Sequence, residues 1–158
     1  MYSLPQAAVS LAELGPILNK LTSKTAGRMR KAGFRAGGIH LALLYRDRGF
    51  WHRGKMVEEQ LFDDREIYRQ VLRILTQCPY SKPVANLAVS LFDLSKDRSL
   101  QLDLFGQRMK KFQIREAVDK INNRYGSFVI TPGTMLSAKD LVPDRIGFGG
   151  IRDLGYLD

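Results

Sequence analysis

The sequence predicts an α+β fold, in which helices pack on one face of an antiparallel sheet. Segments whose apolar residues alternate with polar ones are typical of strands, and they are interspersed with segments whose apolar residues recur every three or four positions, as in helices. The predicted order is helix, strand, strand, helix, strand and a further helix. Such a fold buries the apolar helix faces against one side of the sheet and leaves the other side open to solvent.

The first helix is predicted from a capping signal. Ser10 and Glu13 have the spacing of a capping box, and leucines at helical spacing follow towards Gly33. Pro16 lies beyond the first turn, so either the helix restarts there or its first turn is irregular.

A β-hairpin follows this helix. Residues 35–46 alternate as a strand, residues 47–49 form a short turn, and residues 50–57 form the second strand. The period of two places Leu41, Leu43 and Tyr45 on one side of the first strand. On the second strand the residues that share a face are Trp51, Arg53, Lys55 and Val57.

The second half of the sequence predicts two more helices and a strand. The acidic pair Asp63 and Asp64 is interpreted as the cap of a helix that ends at Cys78 and Pro79. Its basic line, Arg65, Arg69 and Arg73, is interpreted as a solvent-facing side. A third strand spans residues 84–94, a helix spans 110–123 and a short strand spans 128–131, whereas residues 132–158 predict no element.

Composition narrows the class of protein. The 158 residues are enough for one domain with a core, or for a domain of about 100 residues and a tail. A net charge of +9, from 25 Lys and Arg against 16 Asp and Glu, favours a polyanionic partner such as nucleic acid. One cysteine and two histidines are too few for a disulfide framework or a zinc site, so no metal is assigned. No signal peptide or membrane span is visible, which predicts a soluble, cytoplasmic protein with no membrane partner.

Residues 101–105 form a short apolar motif between charged segments. It reads Gln-Leu-Asp-Leu-Phe and resembles the sliding-clamp-binding motif of bacteria, in which apolar side chains enter a groove and the glutamine bonds at its rim. The alternative is that these side chains pack on their own domain. The candidate clamp-binding residues are Gln101, Leu102, Leu104 and Phe105.

Several segments, taken in order, resemble the little-finger domain and tail of a Y-family (DinB/UmuC-like) translesion DNA polymerase. They are residues 2–5 at the end of its first strand, 50–55 with their basic-Gly-basic triplet, 80–94 at its last strand, 101–105, and the helix and stop at 117–126. The resemblance implies a little-finger-like DNA-binding domain over residues 1–95, and a clamp-binding peptide, helix and tail over 96–158. It also implies that the first strand is truncated.

The resemblance implies a function in DNA repair and damage tolerance. The domain would grip the primer–template duplex and tether to the sliding clamp, while the remaining polymerase domains perform nucleotidyl transfer. This part of the protein is then not an enzyme and needs no cofactor, because the magnesium ions of the reaction belong to the absent palm domain.

The expected contacts to DNA are phosphate contacts, which position a duplex without reading its bases. The last strand lacks the exposed arginines that many relatives carry, which shifts the expected contacts towards the hairpin. Trp51 is either a stacking residue or a packing residue. The candidate DNA-binding residues are Arg46, Arg48, Trp51, Arg53, Lys55, Lys82, Asn86 and Ser90.

Two other functions remain open on this sequence. One is a free-standing regulatory protein that occupies the sliding clamp without polymerase activity. The other is an unrelated RNA-binding domain, which is disfavoured because sheet-face RNA readers stack bases on several aromatic residues and the predicted open face offers chiefly Trp51.

Overall fold

The computed structural model describes residues 2–8, 10–79, 81–96, 107–126 and 128–138. The strands are β1 (Tyr2–Ala8), β2 (Phe34–Tyr45), β3 (Phe50–Leu61) and β4 (Val84–Lys96). The helices are α1 (Leu11–Lys31), α2 (Asp64–Leu75) and α3 (Gln107–Tyr125), followed by a 3₁₀ helix (Gly133–Ala138). The predicted α+β fold is confirmed.

The four strands form one antiparallel sheet in the order β1-β4-β2-β3. Helix α1 packs over β2 and β4, and α2 packs over β2 and β3. The core lies between these helices and one face of the sheet, where apolar residues at alternate strand positions meet the helical stripes. Its fully buried members include Leu18, Ile39, Leu41, Leu43, Ile67, Val71 and Leu87.

Both long helices of the core begin at the predicted caps. The Ser10 hydroxyl accepts a hydrogen bond from the Glu13 amide at 3.3 Å, and the Glu13 carboxylate accepts one from the Ser10 amide at 3.0 Å. Asp63 accepts hydrogen bonds from the amides of Arg65 and Glu66 at 2.8 and 3.3 Å. Each cap supplies acceptors to amides that have no partner within the helix.

Helix α1 continues through Pro16 without restarting. Proline has no amide hydrogen, so the carbonyl of Ala12, one turn earlier, receives no hydrogen bond from it. Ala12 lies on the exposed side of the helix, where water can replace that hydrogen bond.

Helix α3 is held against α1 and α2 by a cluster of alternating charges. The Arg30 guanidinium donates to Asp119 at 2.6 and 2.9 Å and to Asp64 at 2.6 Å. Arg115 donates to Asp63 at 2.9 Å and to Asp64 at 3.1 Å. Burial lowers the pKa of Arg30, but the bonds and charges of Asp119 and Asp64 outweigh it and raise that pKa overall. These five side chains therefore fasten α3 to the body of the domain.

The short strand predicted at residues 128–131 is wrong. Residues 128–130 form a turn and a bend, with Phe128 at a φ of 66°. The Asn122 side chain accepts from the Ile130 amide at 2.8 Å and donates to the Ile130 carbonyl at 3.1 Å, so these backbone groups bond to α3 instead of a strand. The following 3₁₀ helix packs on α1 and buries Met135.

Strand β1 is the shortest of the four, with 7 residues against 12 or 13 in the others. Its register pairs Tyr2 with Leu87, Ser3 with Asn86 and Ala8 with Val84. Within the described residues, the rest of β4 therefore pairs only with β2. Whether β1 is a truncated form of the family's first strand stays a prediction.

Candidate nucleic-acid interface

The sheet has one face that the described helices do not cover. Residues directly opposite each other in an antiparallel sheet point to the same side, so the register defines four rows across this open face. The rows are Phe50, Leu44 and Asn86; His52, Ala42 and Ala88; Gly54, His40 and Ser90; and Met56, Gly38 and Phe92. Asn86 and Ser90, two of the predicted contact residues, therefore lie on the open face.

Three other predicted contact residues lie on the opposite face, which corrects their placement. Trp51 pairs with Leu43, Arg53 with Leu41 and Lys55 with Ile39, and all three partners are buried in the core. Trp51 is partly buried against that core, so its packing role is the one that the structure shows. Arg53 and Lys55 remain exposed, because β3 is the edge strand and α2 does not cover them.

The turn between β2 and β3 brings the remaining predicted cations together at one end of the sheet. Arg46 and Arg48 are exposed, and the Arg48 amide donates to the Tyr45 carbonyl at 3.1 Å. Lys82 bonds the Asp47 carboxylate at 2.6 Å. The bond from Lys82, with one from the Gly49 amide, holds the pKa of the Asp47 carboxyl below its ordinary value. The charge of Lys82 is thus largely matched by Asp47.

Four of the predicted cations have no acidic partner within the part of the chain that the structure describes. They are Arg46 and Arg48 in the turn, and Arg53 and Lys55 along the β3 edge. We call these four residues the hairpin cations. Exposed cations that the fold does not neutralise are available to the phosphates of a polyanion.

The open face also carries four rings that the sequence analysis did not single out. They are Phe50, His52, His40 and Phe92. The ring centroids of Phe50 and His52 are 5.3 Å apart, and those of His52 and His40 are 5.2 Å apart. The glycines at 38 and 54 were the available signal, because glycine within a strand often marks a close approach by another group.

The candidate clamp-binding residues Gln101, Leu102, Leu104 and Phe105 lie outside the described residues. In the described ranges, no group of three or more His, Cys, Asp and Glu side chains is arranged to hold a metal ion. No described helix is both long enough and apolar enough to cross a membrane.

The protein-family comparison assigns most of the chain. Residues 2–104 match the model of the impB/mucB/samB family C-terminal domain. The chain belongs to this family. The family match confirms the resemblance to the little-finger domain of Y-family polymerases, and it spans β1 to β4 with their helices α1 and α2.

Individual relatives agree with the family. DNA polymerase IV of Pelotomaculum thermopropionicum is 28% identical over 146 residues, which cover 92% of this chain and 36% of that protein. DNA polymerase IV of Oceanobacillus iheyensis is 29% identical, covering 82% of this chain and 32% of the relative. DNA polymerase IV 2 of Bacillus subtilis is 29% identical, covering 80% and 31%. The chain thus spans about a third of the length of the curated relatives that it matches.

Among solved structures, the insertion ternary complex of Dbh DNA polymerase matches with a TM-score of 0.48 and 14% identity. That match covers 60% of this chain and 27% of the other.

Proposed function

We propose that this chain is the DNA-binding little-finger module of a Y-family translesion DNA polymerase. In this function it holds the primer–template duplex, and the remaining polymerase domains carry out nucleotidyl transfer in DNA repair and damage tolerance. The acidic residues and magnesium ions of that reaction would belong to the palm domain of the parent polymerase.

The observation that carries the proposal is the set of hairpin cations on a domain of this family. Arg53 and Lys55 lie two residues apart on one strand, so their side chains leave the same side of β3 at a separation of about 7 Å, close to the spacing of successive phosphates. Arg46 and Arg48 extend this charge to the adjoining turn. Phosphate contacts of this kind are independent of base sequence, as a polymerase requires.

Binding of the isolated chain to a labelled primer–template duplex tests this function. Each phosphate contact contributes about 0.9 to the slope of log affinity against log salt. We expect salt-sensitive binding, and we expect Ala at all four hairpin cations to lower the slope by about 3 to 4. Absence of duplex binding at low salt would contradict the proposal.

We further propose that residues 101–105 bind a sliding clamp. Two observations support this: the motif itself, and the position of these residues between β4 and α3, where they are tethered to the DNA-binding domain at both ends. Leu104 and Phe105 would be the principal apolar anchors, Leu102 a supporting one and Gln101 the polar contact.

Replacing Leu104 and Phe105 together by alanine tests the clamp contact. We expect this double variant to lose binding to a bacterial sliding clamp and to keep its melting temperature within a few degrees, because the anchors bind a partner. A large loss of stability would show that the two side chains belong to the core of this chain. Unchanged clamp binding would exclude the motif as the contact.

A further inference from the structure

Helix α3 packs with a polar side towards the domain. Four polar side chains at helical spacing mark this docked side, and each is bonded to another segment: Lys111, Arg115, Asp119 and Asn122. Helices on the surface of a domain ordinarily bury their apolar side and expose their charged side. The packing of α3 is the reverse of this pattern, so its apolar side is left for another contact.

The apolar side of α3 forms a stripe along the helix. Its members fall within about 80° of one another around the helix axis, and the middle of the stripe is about 120° from the middle of the docked side. Ile114 and Tyr125 are 65% exposed, and Ile121 is 36% exposed. We call Ile114, Ala117, Ile121 and Tyr125 the α3 stripe.

The α3 stripe has the form of a binding surface. Large exposed apolar groups that lie close together mark an interaction surface more often than singly scattered ones do. Apolar side chains three and four residues apart are also the anchors by which a helix lies in the groove of a partner. The α3 stripe therefore predicts a partner that covers this side of the helix.

The charges beside the α3 stripe indicate what chemistry the partner has. Lys110 and Arg124 flank the stripe, both are exposed, and neither has an acidic partner in the part of the chain that the structure describes. The two acidic residues of α3 lie away from the stripe, since Asp119 is on the docked side and Glu116 is on the far side of the helix. The complementary surface is apolar at its centre and acidic at its rim.

A second copy of this chain does not offer that surface. Two α3 stripes packed together would bring Lys110 and Arg124 to the rim from both helices, and α3 has no acidic residue beside its stripe to match them. Like charges that face each other across an interface oppose association. The charges therefore favour a different protein as the partner.

The position of α3 in the chain indicates which protein this is. The helix begins at Gln107, two residues after the proposed clamp-binding residues end at Phe105. Two residues span at most about 7 Å, and Ile114 lies about 10 Å further along the helix. When residues 101–105 occupy the groove of a sliding clamp, the chain thus holds the first member of the α3 stripe within about 20 Å of that groove.

We propose that the α3 stripe is a second contact to the sliding clamp, on an apolar patch with an acidic rim beside the peptide groove. This inference rests on the proposed clamp contact of residues 101–105 and deepens it, because it assigns part of the binding to a helix outside that peptide. Once the peptide is bound, the stripe meets the clamp at a high effective concentration, so even a weak second contact raises the affinity.

The two contacts would have different consequences for the DNA-binding domain. A peptide in a groove tethers the domain but leaves its orientation free. Helix α3 is fastened to the domain through Arg115 and Asp119 on its docked side, so a clamp contact through the opposite stripe would also fix the orientation of the domain on the clamp.

The test measures the affinity of the full chain for a bacterial sliding clamp. Ile114→Ser with Ile121→Ser removes two apolar anchors and leaves the docked side unchanged. We expect binding to weaken at least about tenfold, towards the affinity of a synthetic peptide of residues 99–107, which has the motif without the stripe. Leu136→Ser is the matched control, because Leu136 is 62% exposed but lies on the 3₁₀ helix, and it is expected to change the affinity little.

A charge reversal tests the acidic rim of the partner. Lys110→Glu with Arg124→Glu keeps the α3 stripe and is expected to weaken clamp binding several-fold, with a smaller effect at high salt because exposed charges are screened. Arg69→Glu with Arg73→Glu makes the same change in net charge on the exposed side of α2 and is expected to have little effect. Equal effects of the two reversals would overturn the charge complementarity.

Melting curves establish that each variant is folded. If the double serine variant is not folded, the single change Tyr125→Ala takes its place, and a smaller loss of clamp affinity is expected. Tyr125 is near the C-terminal end of α3 and makes no hydrogen bond to the rest of the domain among the described residues.

The outcomes separate this inference from the proposed clamp contact. Unchanged affinity in the double serine variant, with binding still lost when Leu104 and Phe105 are replaced, would overturn the inference and leave the peptide contact intact. Equal affinities of the synthetic peptide and the full chain would do the same. Self-association that the serine changes abolish would show that a second copy covers the stripe. If the chain does not bind the clamp at all, both proposals are wrong.

Discussion

Asp63 combines two roles in one carboxylate. It caps α2 through the amides of Arg65 and Glu66, and it accepts two hydrogen bonds from Arg115 of α3. Burial raises the pKa of Asp63, but the bonds and charge of Arg115 and the two amides outweigh burial, and the pKa lies below its ordinary value. The folded state therefore favours the ionised form of this residue.

The stability of the domain is expected to depend on pH through Asp63. Because its folded pKa is lowered, its contribution is present above the unfolded value of about 3.9 and is lost as the pH falls through the folded pKa. Asp63→Asn keeps a cap but removes the charge, so we expect it to cost about 1 to 3 kcal/mol at pH 7 and to flatten the decline in stability below about pH 5.

Chemical denaturation of both proteins between pH 7 and pH 2 measures this effect. Glu58→Gln is the control, since Glu58 is exposed and has no side-chain partner among the described residues. An acid-side decline that is identical in the Asp63→Asn variant would show that other carboxylates govern it.

At the scale of elements, α3 depends on the same charge cluster for its position. Its apolar contacts with the domain are few: Phe112 meets the Phe62 ring at 6.0 Å, while Ile114 and Tyr125 are exposed. Most of its described attachment is through Arg115 and Asp119. An element held by buried charges is sensitive to the loss of one partner, because the others are left uncompensated.

Arg115→Ala is therefore expected to loosen α3 while the four-stranded sheet remains folded. Breaking a buried pair costs about 3 to 5 kcal/mol, which exceeds what the few apolar contacts of α3 can replace. Hydrogen exchange should show faster exchange of amides in α3 and unchanged protection in β2 and β4. Lys120→Ala, which removes an exposed pair with Glu116 on the same helix, is expected to change exchange little. Equal protection of α3 in the Arg115→Ala variant would show that packing alone holds the helix.

At the scale of the whole molecule, the cations are divided between two sides. The hairpin cations lie on the edge strand and its turn, whereas Arg65, Arg69 and Arg73 lie on the exposed side of α2. Both groups contribute to the net charge of +9. If DNA binds one specific surface, removing equal charge from the two sides should change duplex binding unequally. If binding follows net charge alone, the two changes should be equal.

Arg53→Ala with Lys55→Ala is expected to lower the salt slope of duplex binding by about 2, because two phosphate contacts are lost. Arg65→Ala with Arg69→Ala removes the same charge and is expected to change the slope by less than about 0.5, because these side chains make no phosphate contact. Titrations at several salt concentrations measure both slopes. Equal reductions would show that binding follows net charge and has no preferred side.

Local patterns in the sequence were sufficient for most of the helices and strands, but not for β1 or for residues 128–138. The capping box of α1, the acidic cap of α2 and helical spacing predicted these two helices, and alternation predicted β2, β3 and β4 and which of their residues share a side. These features depend on interactions between residues a few positions apart, so the local sequence contains all the groups that interact.

Long-range packing decided which side of the sheet each group of strand residues faces. On β3, Arg53 and Lys55 lie between Trp51 and Val57 on the same side of the strand, and the apolar pair places the whole set on the helix side because it packs against the core. The edge position of β3 then keeps the two cations exposed.

Only the assembled sheet places the rings of the open face on one side. Phe50, His40 and Phe92 lie on three strands, and they share that side because β2 pairs with both neighbours in one register. Helix α3 likewise finds its place through Arg30 and Asp64, which lie 89 and 51 residues before their respective partners Asp119 and Arg115 in that helix. The sequence alone thus indicated DNA as the partner, through its net charge and its resemblance to a family. The surface proposed to bind DNA depends on contacts between distant residues, which no local pattern contains.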